Sequence, residues 1–422
     1  MEKYKKYKNS GIDWLGEIPE HWEVSHIKRI CRKITDGAHT SPDLSSPDYP
    51  FLSVVNLKNG KLDFVKCHYT STTDYKYLLR NGCKPFKNDI LFSKDGTIGE
   101  SIVITKDIDF VVGSSFIITR PNKNIISSYY FQYFLSSPLI KDTARVFVKG
   151  TGIPRLSIFN FSRLNTLIPP IKEQTEIANY LDSKTQTIDK KVKLLSEKIS
   201  TYKDYRKTLI NQTVTKGLDK NVKLKNSGIN WIGEIPKHWE VKRLKDLYKS
   251  SMGNTILKED LEKDGKIPVY SATEKDKFFG FVNKARLILK PNDLVTPARG
   301  NSIGFVKIVK VKSTTTQTTI ASKKKIKINS TFVFYFLQGN KSVIFKFDDT
   351  AIPQFTVEDM NLINIVIPND LKEQQEIANY LDDKTQTIDT IIKNIENQIT
   401  TLKELRKTLI NEVVTGNVKI TE

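Results

Sequence analysis

Two long stretches carry the clearest periodicity in the chain. In 172–216 apolar residues recur at Leu181, Ile188, Val192, Leu195, Ile199, Tyr202 and Leu209; in 372–415 they recur at Leu381, Ile388, Ile392, Ile395, Ile399, Leu402 and Leu409. From Ile188 and Ile388 onward the steps are mostly four and three, the seam of a coiled coil. Neither stretch contains proline, and each runs into a glycine, Gly217 or Gly416, a usual helix stop. Some 40 residues at about 1.5 Å each make a rod of roughly 60 Å. A lone helix of this kind would expose its seam. The pattern therefore predicts an antiparallel pair, with Leu181, Ile188, Val192, Leu195, Ile199, Leu381, Ile388, Ile392, Ile395 and Ile399 as its packing residues. Pairing with a copy in a second molecule satisfies the same pattern.

The intervening stretches, roughly 20–168 and 237–367, change period. They hold short β-branched and aromatic runs such as FLSVVNL, DILF, SIVIT and FVVGSSFIITR, broken by Gly, Asn, Asp and Pro. Short helices are expected around Ser127–Ser136 and Ser330–Gln338. Each middle is expected to be a mixed α/β domain with a twisted sheet.

The chain is also written twice, and this decides its architecture. KNSGIDWLGEIPEHWEV (Lys8–Val24) recurs as KNSGINWIGEIPKHWEV (Lys225–Val241), and KEQTEIANYLDSKTQTID (Lys172–Asp189) recurs as KEQQEIANYLDDKTQTID (Lys372–Asp389). Fainter echoes fall between them in the same order: NDILFSKDGTIG (Asn88–Gly99) with NDLVTPARGNSIG (Asn292–Gly304), and TGIPRLS (Thr151–Ser157) with TAIPQFT (Thr350–Thr356). The expected fold is α+β: two similar globular domains, 1–168 and 218–367, separated by two long antiparallel coiled-coil helices, 169–217 and 368–422, in a pseudo-twofold internal repeat. After each helix the sequence runs Gly, then Asn-Val-Lys, so the end of the chain resembles the linker into a new half and is expected beside its start. Trp14, Trp22, Trp231 and Trp239 recur at equal spacing and are read as packing anchors rather than stacking platforms for bases.

Charge adds a partner to this picture. The formal net charge is +20 and the pI about 9.5, which suits a polyanion, either nucleic acid or an anionic membrane surface. The long helices carry 16 basic and 14 acidic residues, so the excess sits mainly elsewhere. No run approaches the roughly 20 apolar residues needed to cross a bilayer, which favours nucleic acid. The frame is nearly repeated while the middles diverge, as expected of a ruler with two unlike heads. A turn of B-DNA is about 34 Å, within the span of such rods. In the Gly-containing loops and the Ile-Pro elements stand Lys94, Thr97, Lys149, Thr151 and Arg155, and in the second half Arg299, Asn301, Ser302, Thr350 and Gln354. Arg and Lys favour guanine edges, Gln and Asn favour adenine, and Lys, Ser and Thr also hold phosphates. Arg155 and Gln354 occupy one matched slot, as different base readout requires. Ordinary turn residues would be the bland account of each taken singly.

Catalytic signatures are missing from the sequence. There is no Gly-x4-Gly-Lys-Ser/Thr loop, no Asn-Pro-Pro-Tyr or Asp-Pro-Pro-Tyr, and no His-Glu-x-x-His. Pro236…Glu240-Val241-Lys242 faintly imitates a metal-nuclease motif, but its counterpart Pro19…Glu23-Val24-Ser25 lacks the lysine. Cys31, Cys67 and Cys83 have neither disulfide nor zinc spacing and read as reduced thiols of a cytoplasmic protein.

IPEHWEV and IPKHWEV opening each half, the IPP-x-KEQ-x-EIA-x-YLD-x-KT-x-x-ID run opening the first helix with its near-copy at the second, and the Gly/Ala-Ile-Pro element before them together resemble the specificity subunit of Type I restriction-modification systems. The resemblance covers nearly the whole chain. It implies a DNA-binding, non-catalytic subunit whose middles are target-recognition domains, each reading one half of a split, asymmetric site in double-stranded DNA. It implies that the helices set the spacer and dock two methyltransferase subunits, joined by two restriction subunits in the full complex. Those partners would use S-adenosylmethionine, ATP and magnesium; this chain would bind no cofactor or metal. A specificity subunit serving a fused nuclease-methyltransferase, or a coiled-coil scaffold that binds no DNA, are the alternatives.

Overall fold

The structure, a computed structural model, describes residues 2–12, 15–58, 60–147, 154–346 and 353–420. The chain divides into two compact units, Met1–Leu195 with Asn397–Glu422, and Ser196–Glu396.

The first unit is built on a four-stranded antiparallel sheet of β1 (Cys31–Asp36), β2 (Ile90–Ser93), β3 (Ser101–Val103) and β4 (Phe116–Pro121), in the order β3-β2-β4-β1. β2 is buried at every position, which is why its first three residues, ILF, are apolar without alternation, and Ser93 ends it as a buried polar residue. A short parallel and antiparallel sheet of Tyr49–Leu52, His68–Thr70 and Val111–Val112 lies beside it in the chain order. Helix α1 (Ser128–Ser136) is apolar nearly all round, and Tyr130, Phe131, Phe134 and Leu135 are in the core. Helix α2 (Ile171–Lys216) begins in this unit and ends in the second.

The second unit repeats the plan with β5 (Tyr248–Met252), β6 (Leu294–Pro297), β7 (Lys307–Ile308) and β8 (Thr319–Lys324), in the order β7-β6-β8-β5. Its apolar helix is α3 (Ser330–Gly339), and its long helix is α4 (Leu371–Val414), whose last turns belong to the first unit. The Asn-Asp pair entering β2 and β6 has one physical role in both copies. Asn88 and Asn292 take left-handed backbone angles (φ 70° and 75°), which Asn tolerates, while Asp89 and Asp293 accept the amides of Phe86 and Lys290.

Within each unit a segment of α2 and a segment of α4 run antiparallel. In the first, Asp189 accepts from Arg406 while Gly416, just past the end of α4, approaches Trp22 near the start of α2; in the second, Asp389 accepts from Arg206 while Gly217 approaches Glu373. Leu181 and Ile188, with Val192 at the margin, pack in one core with Leu402, Leu409, Ile410 and Val413; Leu381 packs in the other with Leu209, Ile210 and Val214. Ile388, Ile392 and Ile395 are buried, and Leu195, Ile199 and Ile399 are half-buried.

The repeated helix-opening motif is a joint between head and helix. Gln174 accepts the Ser127 amide and donates to the carbonyls of Ile125 and Pro169; Gln374 accepts the Asn329 amide and donates to Pro368. Ile177, Ala178 and Leu181, like Ile377, Ala378 and Leu381, are buried. Asp182 and Thr185 hold the Tyr133 hydroxyl, and Asp382 and Thr385 hold that of Tyr335 at 2.7 and 3.0 Å. Burial and the neighbouring carboxylate both raise the tyrosine pKa values, so these hydroxyls stay protonated donors. Tyr335→Phe removes a shared buried donor and is expected to cost about 1–2 kcal/mol, read as a shift in the denaturant midpoint; an unchanged midpoint would show that the joint does not depend on this bond.

Trp22 and Trp239 are fully buried, as expected of packing anchors, whereas Trp231 is 39% exposed and Trp14 lies outside the described residues. His238 and the Trp239 indole both donate to Glu373 in the first turn of α4 (2.8 and 2.9 Å). In the first unit His21 pairs with Glu173 at 2.8 Å, but the second oxygen of Glu173 accepts from the Tyr4 hydroxyl instead, and the buried Trp22 indole nitrogen has no partner. The segment at 416–420 lies against 2–7: Lys419 donates to the Glu2 carbonyl at 2.7 Å and the Tyr7 hydroxyl to that of Gly416. The two ends therefore meet, as the repeat of the linker sequence implies. All three cysteines are free thiols, and burial pushes Cys31 up to about 12, which leaves it unreactive.

Candidate nucleic-acid interface

In each unit the Gly-containing loop and the Ile-Pro element, separated by more than 50 residues in sequence, are brought side by side. Asp95 and Arg155 form an antiparallel bridge, framed by Gly96 N to Pro154 O (3.0 Å) and Leu156 N to Lys94 O (2.9 Å). Arg299 and Gln354 form the same bridge, framed by Gly300 N to Pro353 O (3.1 Å) and Phe355 N to Ala298 O (2.9 Å). Two further turns complete the cluster. The Lys94 amide donates to the Ser115 carbonyl and that of Ala298 to Thr318; the amides of Ala38 and Asn254, after β1 and β5, donate to Val112 and Thr315. Four turns at one end of each main sheet are thus laced by main-chain hydrogen bonds.

Close approach fixes the residue type at one position of each cluster. A Cβ on Gly37 would lie 2.2 Å from the Val112 carbonyl oxygen and 2.3 Å from that of Gly113; on Gly253 it would lie 2.2 Å from the Thr316 oxygen and 2.6 Å from that of Thr315. The obstacles are backbone, which cannot rotate away.

On this shared frame the side chains differ. In the first unit Arg155 donates through Nε to Asp95 Oδ1 at 2.9 Å, and its side chain is 67% exposed. Lys94 is buried, its Nζ 3.7 Å from Asp95 and 3.9 Å from Asp36, and Asp36 pairs with His39 at 2.6 Å. Lys94 therefore offers no exposed ammonium; it neutralises two carboxylates from beneath. Thr97 is exposed beside them, and its carbonyl accepts from Ser93. In the second unit the slots of Lys94 and Asp95 hold Ala298 and Arg299, and that of Arg155 holds Gln354. Arg299, Asn301 and Gln354 are exposed and Ser302 is half-buried in the turn Gly300–Ser302. Arg299 has no ion-pair partner among the described residues. The structure thus gathers Lys94, Thr97 and Arg155 in one cluster and Arg299, Asn301, Ser302 and Gln354 in the other; Lys149, Thr151 and Thr350 lie outside the described residues.

Sequence reasoning passed over Asp36, His39, Asp95 and Gln317. A signal was present: ITDGAHT and SSMGNTI stand in the same order in the two halves, each with the glycine that the close approach requires. Gln317 Oε1 accepts the Ile256 amide, as the Ser115 hydroxyl accepts that of Val54.

Among the described residues no group of three or more His, Cys, Asp or Glu side chains is placed to hold a metal ion. Glu240 and Lys242, of the nuclease-like match, pair with each other at 3.1 Å on the exposed face of a strand. No helix among the described residues is long and apolar enough to cross a membrane.

Residues 19–198 and 236–401 match a family model described as the Type I restriction modification DNA specificity domain. The chain is 27% identical over 446 residues to the putative type I restriction enzyme MjaX specificity subunit of Methanocaldococcus jannaschii, covering 99% of this chain and 98% of that one. It is 26% identical over 453 residues to the MjaVIII specificity subunit of the same organism, covering 100% and 98%. In fold it is similar to a solved chain described as "Structural basis underlying complex assembly and conformational transition of the type I R-M system" (TM-score 0.75, 14% identity, 95% and 99% covered). It is also similar to the HsdS subunit from Thermoanaerobacter tengcongensis (TM-score 0.55, 15% identity, 95% and 98% covered).

Proposed function

The chain belongs to the Type I restriction-modification DNA specificity family, and from that premise we propose that its two loop clusters read the two halves of a split, asymmetric site in double-stranded DNA. The observation that carries the reading is a main-chain frame repeated in both units with different exposed hydrogen-bonding side chains set on it: Thr97 and Arg155 in one, Arg299 and Gln354 in the other. A repeated frame serves equivalent partners, and unlike heads serve unlike targets. The net charge of +20 supports a polyanionic partner.

On this reading Arg299 faces a guanine edge, Gln354 an adjacent base, and Thr97, Asn301 and Ser302 phosphates or base edges. Lys149, Thr151 and Thr350 stand in the same sequence elements and belong to the proposal on that ground alone. The chain docks two methyltransferase subunits, and two restriction subunits complete the assembly in the cytoplasm. S-adenosylmethionine, ATP and magnesium serve those partners, and this chain contributes recognition rather than chemistry.

The test is genome-wide adenine methylation in cells holding the neighbouring methyltransferase, with and without this chain. A bipartite methylated motif that depends on the chain is the expected result. No change, with a folded methyltransferase present, would refute the proposal. In the same assay Arg299→Ala is expected to relax one base of one half-site by about 1–3 kcal/mol; an unchanged motif would remove Arg299 from the interface.

A further inference from the structure

The matched slots differ in one respect that the recognition reading leaves unused: among the described residues, only the first unit places a carboxylate beside its arginine. Asp95 is nearly buried (side chain 12% exposed), and it is pinned from two sides, by its bridge to Arg155 and by Lys94 Nζ at 3.7 Å. One of its oxygens takes Nε of Arg155 at 2.9 Å. A guanidinium presents two bidentate edges, Nε with one terminal nitrogen, or the two terminal nitrogens together. Occupying Nε removes the first edge and leaves the second, on a side chain 67% exposed. The free rotation of a long side chain is also restrained before binding, which lowers the ordering cost of recognition. Lys94 and Arg155 balance Asp95 and Asp36, so the array presents its outer guanidinium without a net acidic face.

Resting on the recognition reading above, we infer that Asp95 is a positioning residue that holds Arg155 end-on toward the major groove, and that the first half-site therefore contains a G·C pair read through guanine O6 and N7. Among the described residues the second unit has no counterpart in these slots, since Asp95 is replaced there by Arg299 and Lys94 by Ala298. Loss of the carboxylate should then affect one base pair of the first half-site only. A carboxylate serving the fold alone would alter methylation at both halves together or at neither.

The experiment measures methylated motifs in cells holding the neighbouring methyltransferase with wild-type chain, Arg155→Ala, Arg155→Lys, Asp95→Ala and Asp95→Asn. Arg155→Ala and Arg155→Lys are expected to admit other bases at one G·C position, with discrimination there falling about tenfold or more. Lysine keeps the charge but lacks the planar fork. Asp95→Ala is expected to relax that same position, Asp95→Asn less so, with the other half-site unchanged. Relaxation by Arg155→Ala without any by Asp95→Ala, or relaxation at a different position, overturns the positioning role. If Asp95→Ala does not fold, Asp95→Asn and the exposed-residue change Arg155→Lys still decide, and full discrimination by Arg155→Lys overturns the inference. A wild-type chain that yields no bipartite motif refutes the recognition reading itself, a separate outcome from a clear motif indifferent to these variants.

Discussion

Trp239→Ala is expected to destabilise the second unit by about 3–5 kcal/mol, the usual cost of emptying a large aromatic site. Trp239 is fully buried, packs edge-on to Phe332 with ring centres 5.9 Å apart, and lies beneath Gly217, whose Cβ position would be 3.3 Å from its ring. Its indole also donates to Glu373, so the alanine leaves that carboxylate with His238 alone. For a unit of this size the loss corresponds to a melting shift on the order of 10 °C. The first unit supplies an internal control. Trp22 is equally buried but its indole nitrogen has no partner. Trp22→Phe should therefore cost less than Trp239→Phe, because only the latter breaks a hydrogen bond to a carboxylate. Equal losses for the two phenylalanine variants would show that the Glu373 bond contributes nothing net.

Gly253→Ala is the substitution expected to weaken reading by the second unit most strongly. A methyl there meets two carbonyl oxygens at 2.2 and 2.6 Å, and relief requires that the turn at Thr315–Thr316 move away from β5. The amide of Asn254 loses its bond to Thr315 in that movement, and the bridge between Asn254 and Thr316 opens. Overpacking of this kind costs about 1–3 kcal/mol or more, equivalent to a drop in specific methylation of about tenfold to a hundredfold if the loss falls on the bound geometry. The main core lies elsewhere, so the far-UV circular dichroism and the melting of the first unit should hold. Methylation at wild-type level by Gly253→Ala would mean that the turns are free to separate and that their lacing does not govern recognition. Gly37→Ala makes the same test of the first unit.

The long helices were legible because a seam of steps of four and three persists over many turns, and no other structure uses that period. The duplication was legible at once, and it carried the matched placement of the two heads with it. The loop clusters were only half legible. The sequence marked the Gly-containing loops and the Ile-Pro elements separately, since each has turn chemistry of its own. No local pattern records that Asp95 meets Arg155, or Arg299 meets Gln354, across more than 50 residues; that juxtaposition follows from the order of the sheet. Burial misled the reading at Lys94. A lysine in a polar loop looks like a solvated cation, and only the positions of Asp36 and Asp95 reveal an internal counter-ion. Asp95 itself was overlooked because an acidic residue has no attraction to a polyanion, and its value lies in the neighbour it holds.

The lacing of the turns by amides and carbonyls separates what may vary in descent from what may not. Side chains at 155, 299 and 354 contribute little to the bonds that register the loops, and exchanging exposed residues of this kind changes stability by about 0.5 kcal/mol or less. The glycines at 37 and 253 have no such freedom. On the proposed reading, a lineage carrying this architecture can therefore drift through many target sequences along a nearly level stability surface. Evolvability of recognition is then a property of the backbone, and the stock of tolerated variants at three exposed positions is its raw material.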